Sequence, residues 1–133
     1  MRKILLVVGL ILGLSYTASA QNAEVQATID SQIEAFLADD FNRAFTFASP
    51  TIQQLFRTPE NFGVMVRRGY PMVWRPADVQ YLELREINGV LWQKVQITDA
   101  EGRIHLLEYQ MVELNSTWKI NAVQLLRQPE VNA

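Results

Sequence analysis

The sequence predicts an α+β fold in which N-terminal helices pack on one face of a curved antiparallel β-meander. Three observations predict it. Up to Gly69 the apolar residues recur at helical spacing and are punctuated by helix-start signals. From Met72 the period changes to two. Asn88-Gly89, set between two alternating runs, is the strongest short-range hairpin signal a sequence offers. Helices first and strands afterwards is the order of an α+β domain.

Residues 1–20 read as an export signal. Arg2-Lys3 precedes an apolar core from Ile4 to Leu14, and Ala18-Ser19-Ala20 is a small-residue cleavage site. The apolar run falls short of the about 20 residues that a spanning helix needs. No membrane span is expected after cleavage, and the product is expected to be periplasmic or secreted. The chain has no cysteine, which excludes a lipid-modified N-terminus and leaves stability to packing rather than disulfides. Residues 21–133 show no repeat, linker or low-complexity tract and are expected to form a single domain. A domain of that size buries about 65% of its extended-chain surface. The balance of 12 basic and 14 acidic residues turns more acidic once Arg2 and Lys3 are lost. That argues against nucleic acid, whose binding depends on clustered Lys and Arg.

Asn22 to Leu37 is the first helix of the domain, with Val25, Ile29, Ile33, Phe36 and Leu37 in one stripe and Gln26, Asp30 and Glu34 facing away. Asp39-Asp40 starts a second helix carrying Phe41, Ala44, Phe45 and Ala48. Ser49-Pro50 starts a third with Ile52, Leu55 and Phe56. Thr58-Pro59-Glu60 starts a fourth, with a capping hydroxyl, proline at the first position and an acid in the first turn. That helix ends in Arg67-Arg68, with Gly69 expected as a left-handed cap. Met72–Arg75, between Pro71 and Pro76, reads as a short strand or extended arm.

Four strands follow, at Val79–Ile87, Val90–Thr98, Arg103–Glu113 and Trp118–Leu126. A two-residue Asn88-Gly89 loop sets Glu83 opposite Lys94 and Arg85 opposite Trp92, an ion pair and a cation–π pair on one face. The other face collects Leu82, Leu84, Leu91, Val95 and Ile97 as the core side. A three-residue loop ending in a left-handed Gly102 sets Glu108 beside Lys94 and adds Leu107, Tyr109 and Met111 to that side. A turn at Asn115-Ser116 then brings in Trp118, Ile120 and Ala122. The outer face keeps the Glu83–Lys94–Glu108 ladder. Around it the register gathers Tyr81, Val90, Trp92, Ile104, Leu106, Val112, Val123 and Leu125, too many apolar groups for a face left in water. A homodimer is therefore expected, with Tyr81, Trp92, Leu106, Val123 and Leu125 at its interface.

Polar groups on the core side mark the candidate site: Gln93 opposite Tyr109, His105 opposite Ile97, and Gln124 near the strand end. Such groups either find partners or line a small wet pocket between sheet and helices. Tyr70 and Trp74, on the proline-bounded segment, are placed to rim it. The expected ligand-binding residues are Tyr70, Trp74, Gln93, His105 and Tyr109.

The acidic pair ahead of the second helix, and the meander closing in Trp118-Lys119-Ile120, resemble the cystatin-like, or nuclear transport factor two-like, superfamily. More narrowly, ADDFNRAFTFASPTIQQLF, TPENFGVMVRRGYP, WRP and the Tyr109…Trp118-Lys119-Ile120 ending resemble a family of exported bacterial proteins catalogued as a domain of unknown function. The resemblance covers nearly all of residues 21–133. It implies a cone-like fold with a pocket between the helices and a concave sheet, and it implies no activity.

The expected function is an exported, non-catalytic ligand-binding or protein-interaction module taking a small apolar or amphipathic ligand. The alternative is a small-molecule isomerase or hydrolase of the ketosteroid isomerase-like type using that pocket. Such an enzyme pairs an acid or base with a donor for developing negative charge. Here Asp39 and Asp40 are accounted for by the helix start, and a lone His105 makes no catalytic pair. One histidine and no cysteine leave no zinc spacing, and Gly63 and Gly69 fit no phosphate loop. No catalytic residue, metal or cofactor is assigned.

Overall fold

The structure, a computed structural model, describes the backbone of residues 2–127 and the side chains of residues 20–127. The export signal read at residues 1–20 lies outside the described side chains except for Ala20. In chain order the helices are α1 (Arg2–Leu37), α2 (Phe41–Thr46), α3 (Pro50–Phe56), α4 (Pro59–Gly69) and α5 (Pro71–Trp74). The strands are β1 (Pro76–Ile87), β2 (Val90–Asp99), β3 (Ile104–Leu114) and β4 (Thr117–Leu125), joined as an antiparallel sheet in the order β1-β2-β3-β4. This is the expected α+β meander. Among the described residues no helix is long and apolar enough to cross a membrane.

The helix starts behave as their capping chemistry requires. Asp40, Ser49 and Thr58 accept from the backbone N–H three residues on, at Arg43, Ile52 and Asn61. Asp39 does something else. It sits in the left-handed region (φ +54) just past α1, where its N–H bonds Phe36 O and the Asp40 N–H bonds Ala35 O. That pair of bonds is a Schellman ending with Asp in the place glycine usually takes. The Asp39 carboxylate, turned outward, accepts from Trp74 Nε1 at 2.9 Å and from Arg75 Nη2 at 2.8 and 2.9 Å. Arg75 Nη1 reaches Phe36 O at 2.8 Å. The end of α1 is thus tied to the point where the chain enters β1.

Two local expectations are corrected. Gly69 remains helical and Tyr70 (φ −135) caps α4, so no left-handed glycine ends it. Met72–Arg75 is no strand: Pro71 opens the one-turn helix α5, and Met72 and Val73 are both buried. Consecutive residues facing one core fit a helical turn and not an alternating strand.

The aromatic side chains of the helical layer gather on Phe62. Its ring lies 5.2 Å from Phe45, and 5.9 Å from both Phe36 and Phe56. Phe41 packs so closely on α4 that a Cβ at Gly63 would stand 2.8 Å from its ring.

The β2–β3 register is the expected one, with Lys94 opposite Glu108, Gln93 opposite Tyr109 and Ile97 opposite His105, and Gly102 left-handed at φ +84. Bulges on the two edge strands alter the rest. Between Tyr81 and Leu84, two residues of β1 oppose the single Lys94, and Asn121 is an extra residue in β4. Each bulge reverses the alternation beyond it. Tyr81 and Val79 therefore face the core, and Leu82, expected inside, is exposed. Val123 likewise turns inward and Leu125 pairs with the inward Leu107, while Gln124, expected inside, is exposed beside Glu108. Tyr81, Val123 and Leu125 thus leave the outer face; Trp92 and Leu106 are not displaced by either bulge. Arg85 lies opposite Trp92 as expected, but its guanidinium pairs with Glu108 instead of the indole. Lys94 keeps Glu83 at 3.7 Å.

Each edge strand holds α1 against the inner face. From β1, the half-buried Tyr81 donates its hydroxyl proton to Asp30 at 2.6 Å; partial burial first, and the Asp30 carboxylate second, push its pKa up. From β4, Trp118 Nε1 donates to Glu24 at 3.2 Å.

The Trp74 and Arg75 hydrogen bonds to Asp39 hold its carboxyl below the ordinary 3.8. A depressed folded-state pKa stabilises the fold above the unfolded value and loses that contribution as pH falls through the folded one. Asp39→Asn is accordingly expected to melt below wild type at neutral pH. The gap should close only as the pH drops below about 3.8, which thermal melts between pH 7 and pH 2.5 will show.

Candidate functional site

Between the sheet and α3–α4 lies a cavity of about 240 Å³. Its floor is Tyr109 on β3 with Ile120, Ala122 and Val123 on β4. Its walls include Gln32 and Phe36 of α1, Ile52, Leu55 and Phe56 of α3, and Phe62, Met65 and Val66 of α4. Leu55 is 68% exposed, whereas Tyr109 is fully buried. The cavity therefore runs from the surface at α3 to the middle of the sheet.

The lining is apolar apart from Gln32, Tyr70 and Tyr109. Gln32 Nε2 donates to Ala44 O at 3.2 Å, and the Tyr70 hydroxyl to Val123 O at 3.1 Å. The Tyr109 hydroxyl has no hydrogen-bond partner among the described residues. Burial, and secondarily the nearby Tyr70, push its pKa up, so it is a phenol and not a phenolate at any physiological pH.

Of the five residues expected to bind ligand, Tyr70 and Tyr109 meet in this lining and the other three do not. Trp74 spends its indole N–H on Asp39. Gln93 is fully buried at the β1 bulge, where its Nε2 donates to the carbonyls of Lys94 (2.8 Å) and Leu82 (3.1 Å). His105 lies toward the β2–β3 turn, its Nε2 2.8 Å from Asp99 Oδ2. That contact, joined by the turn N–H groups of Arg103 and Glu101, holds the Asp99 carboxyl below its ordinary value. Sequence reasoning found Tyr109 because a polar group on a core face stands out, and Tyr70 because it stands on the proline-bounded segment placed to rim a pocket. It missed Ile52, Phe56 and Met65, since an apolar residue on a helix's inner stripe looks the same whether it meets a neighbour or a cavity.

A family model described as a domain of unknown function (DUF4864) matches residues 18–133. The chain belongs to the DUF4864 family. No curated protein matches the chain, and no solved structure does. Every residue lining the cavity falls within the DUF4864 span. Among the described residues no three His, Cys, Asp or Glu side chains converge in a way that would hold a metal ion.

The two polar groups at the centre of this DUF4864 sheet should respond oppositely to removal. Gln93→Leu leaves the Leu82 and Lys94 carbonyls at the bulge without this donor and is expected to destabilise the fold, by about 1 kcal/mol. Tyr109→Phe deletes a hydroxyl that bonds to no described residue, and its stability is expected to equal or exceed wild type. Urea unfolding of both variants checks the pair.

Proposed function

We propose that this DUF4864 protein is an exported, non-catalytic module that holds a small apolar or amphipathic ligand in the cavity between its helices and its sheet. The observation that carries the reading is the cavity itself: a largely apolar cleft reaching from an exposed helix to a buried polar group is the usual form of a small-molecule site. Export rests on the composition of residues 1–20, and a place in the cystatin-like superfamily rests on the helices-then-meander order and the Trp-x-Ile ending.

The ketosteroid isomerase-like alternative is the weaker reading. Proton abstraction needs a base within hydrogen-bond reach of the substrate, and the lining offers glutamine and two tyrosines. Asp39 and Asp40 are engaged at the α1–α2 junction, and His105 is paired with Asp99 away from the cavity.

The test is extraction of the protein, purified from the periplasm of an expressing bacterium, followed by mass spectrometry. A small apolar compound in stoichiometric amount is expected with wild type and absent from Met65→Trp, whose indole occupies the cavity. Equal recovery from both would overturn the reading. The same sample is expected to begin at Gln21.

Self-association through the outer face is a separate proposal that now rests on Trp92 and Leu106. Sedimentation equilibrium at micromolar concentration is expected to show a dimer that Leu106→Glu dissociates; a wild-type monomer would end it.

A further inference from the structure

Resting on the ligand-binding reading, we propose that the cavity takes the hydrocarbon tail of a single-chain amphiphile and leaves its head group in water at the α3 mouth. The site reads the length of the tail and not the chemistry of the head. The lining carries no charged side chain. Its polar side chains offer an occupant little: Gln32 and Tyr70 donate to the backbone carbonyls of Ala44 and Val123, and the Tyr109 hydroxyl is enclosed by the protein. A charged head carried inside would be stripped of water with no counter-ion beside it, which is strongly unfavourable. What fills the cavity is therefore hydrocarbon. The same cavity borders Leu55, 68% exposed, and Tyr109, fully buried, so a molecule that reaches the sheet ends in water at α3. A head group there keeps its hydration.

Capacity sets the tail. A dry apolar cavity of about 150 Å³ takes benzene, and in proportion a cavity of about 240 Å³ holds about eight to ten carbons. A bilayer-forming lipid carries two tails, each long enough to cross half of the about 30 Å hydrocarbon core, and exceeds that space. One medium-length chain suits it. Met65, unbranched and adaptable, and α3, which has no buried residue of its own, can settle around such a chain. Each methylene taken in contributes a similar increment. Affinity should therefore climb with length until the tail reaches the floor, then level off as further carbons stay outside.

Two series of straight-chain probes test this: hexanoate to dodecanoate, and hexylammonium to dodecylammonium, each held below its micelle concentration. Relative affinities are read from the methyl NMR signals of Ile52, Val66 and Val123, so an occupant that co-purifies cancels. Affinity is expected to rise about fourfold per methylene from hexanoate to decanoate, and to gain less than about twofold per methylene beyond it. At each length the carboxylate and the ammonium should agree within about threefold, since a head in water feels only screened charge. Val123→Phe, which fills part of the floor, should move the levelling-off to shorter tails; the wild-type series decide the proposal without it. A rise that continues undiminished to dodecanoate, an absence of any length dependence, or a difference of about tenfold between the two heads would each overturn the proposal and leave the ligand-binding reading standing. So would isopropylbenzene moving the cavity methyls when no chain does. If no probe moves them the proposal falls, and the mass spectrum of the periplasmic extract decides separately whether the ligand-binding reading falls with it.

Discussion

Gln93 is the side chain on which the inner face of the sheet depends. A two-against-one bulge spoils the β1–β2 ladder and frees backbone carbonyls beside the fully buried Gln93. Gln93 Nε2 gathers the Leu82 and Lys94 carbonyls from beneath, although its Oε1 has no partner among the described residues. The bulge can then persist, and its consequence is a change of parity. Tyr81 comes round to face α1 and donates to Asp30. The β4 bulge uses the same device with the extra residue itself: Asn121 donates to Gln110 and accepts from Ser49. Ser49 also caps α3, and its N–H bonds Ile120 O. One bulge therefore seats α1 and the other seats α3, and both helices, with α4, wall the cavity over the sheet.

This explains which parts of the molecule were legible in the sequence. Turns carry their own chemistry, so Asn88-Gly89, Gly102 and Asn115-Ser116 fixed the hairpins, and all five of these residues have the positive φ that such turns use. Capping hydroxyls and prolines marked α3 and α4. A bulge has no comparable signature. Nothing in Tyr81-Leu82-Glu83-Leu84 distinguishes strict alternation from alternation with one residue slipped, because Leu82 and Leu84 together make a convincing core stripe. The information sits across the strand in Gln93, whose role appears only once the pairing is known. Val123, Leu125 and Gln124 were misplaced for the same reason. Asp39 was half legible: an acidic pair does open α2, but the two carboxylates divide the labour. Asp40 caps the helix, and Asp39 takes the left-handed corner and the Arg75 guanidinium.

The site was legible to the same degree. A tyrosine facing a core is conspicuous, which marks Tyr109, and the prolines that bound its segment mark Tyr70. Gln93 was equally conspicuous, and its polarity serves the fold instead of the cavity. Polarity on an inner face thus does not by itself say whether the group serves the fold or the cavity. For Gln93 that service is visible in the Leu82 and Lys94 carbonyls that accept from its Nε2, whereas the Tyr109 hydroxyl and the Gln93 Oε1 have no hydrogen-bond partner among the described residues.

The helix at the mouth is the least committed part of this layer. α3 contributes no buried residue, although Ile52, Leu55 and Phe56 all border the cavity. Its exit is costly: Arg57 has φ +71 and ψ −45, and Thr58 N–H bonds Phe56 O across it, a tight γ-turn that costs on the order of 1–3 kcal/mol. The helix is held mainly by its ends. Ser49 fastens its start to β4, Gln53 reaches the carbonyls of Phe45 and Ala48, and Asn61 Nδ2 holds Phe56 O. An element pinned by hydrogen bonds and poor in apolar burial belongs to the low-stability end of a fold. On the ligand-binding reading, an apolar molecule lying against Ile52 and Phe56 would supply the burial that α3 lacks. Occupancy and the ordering of this helix would then be linked, each favouring the other by mass action.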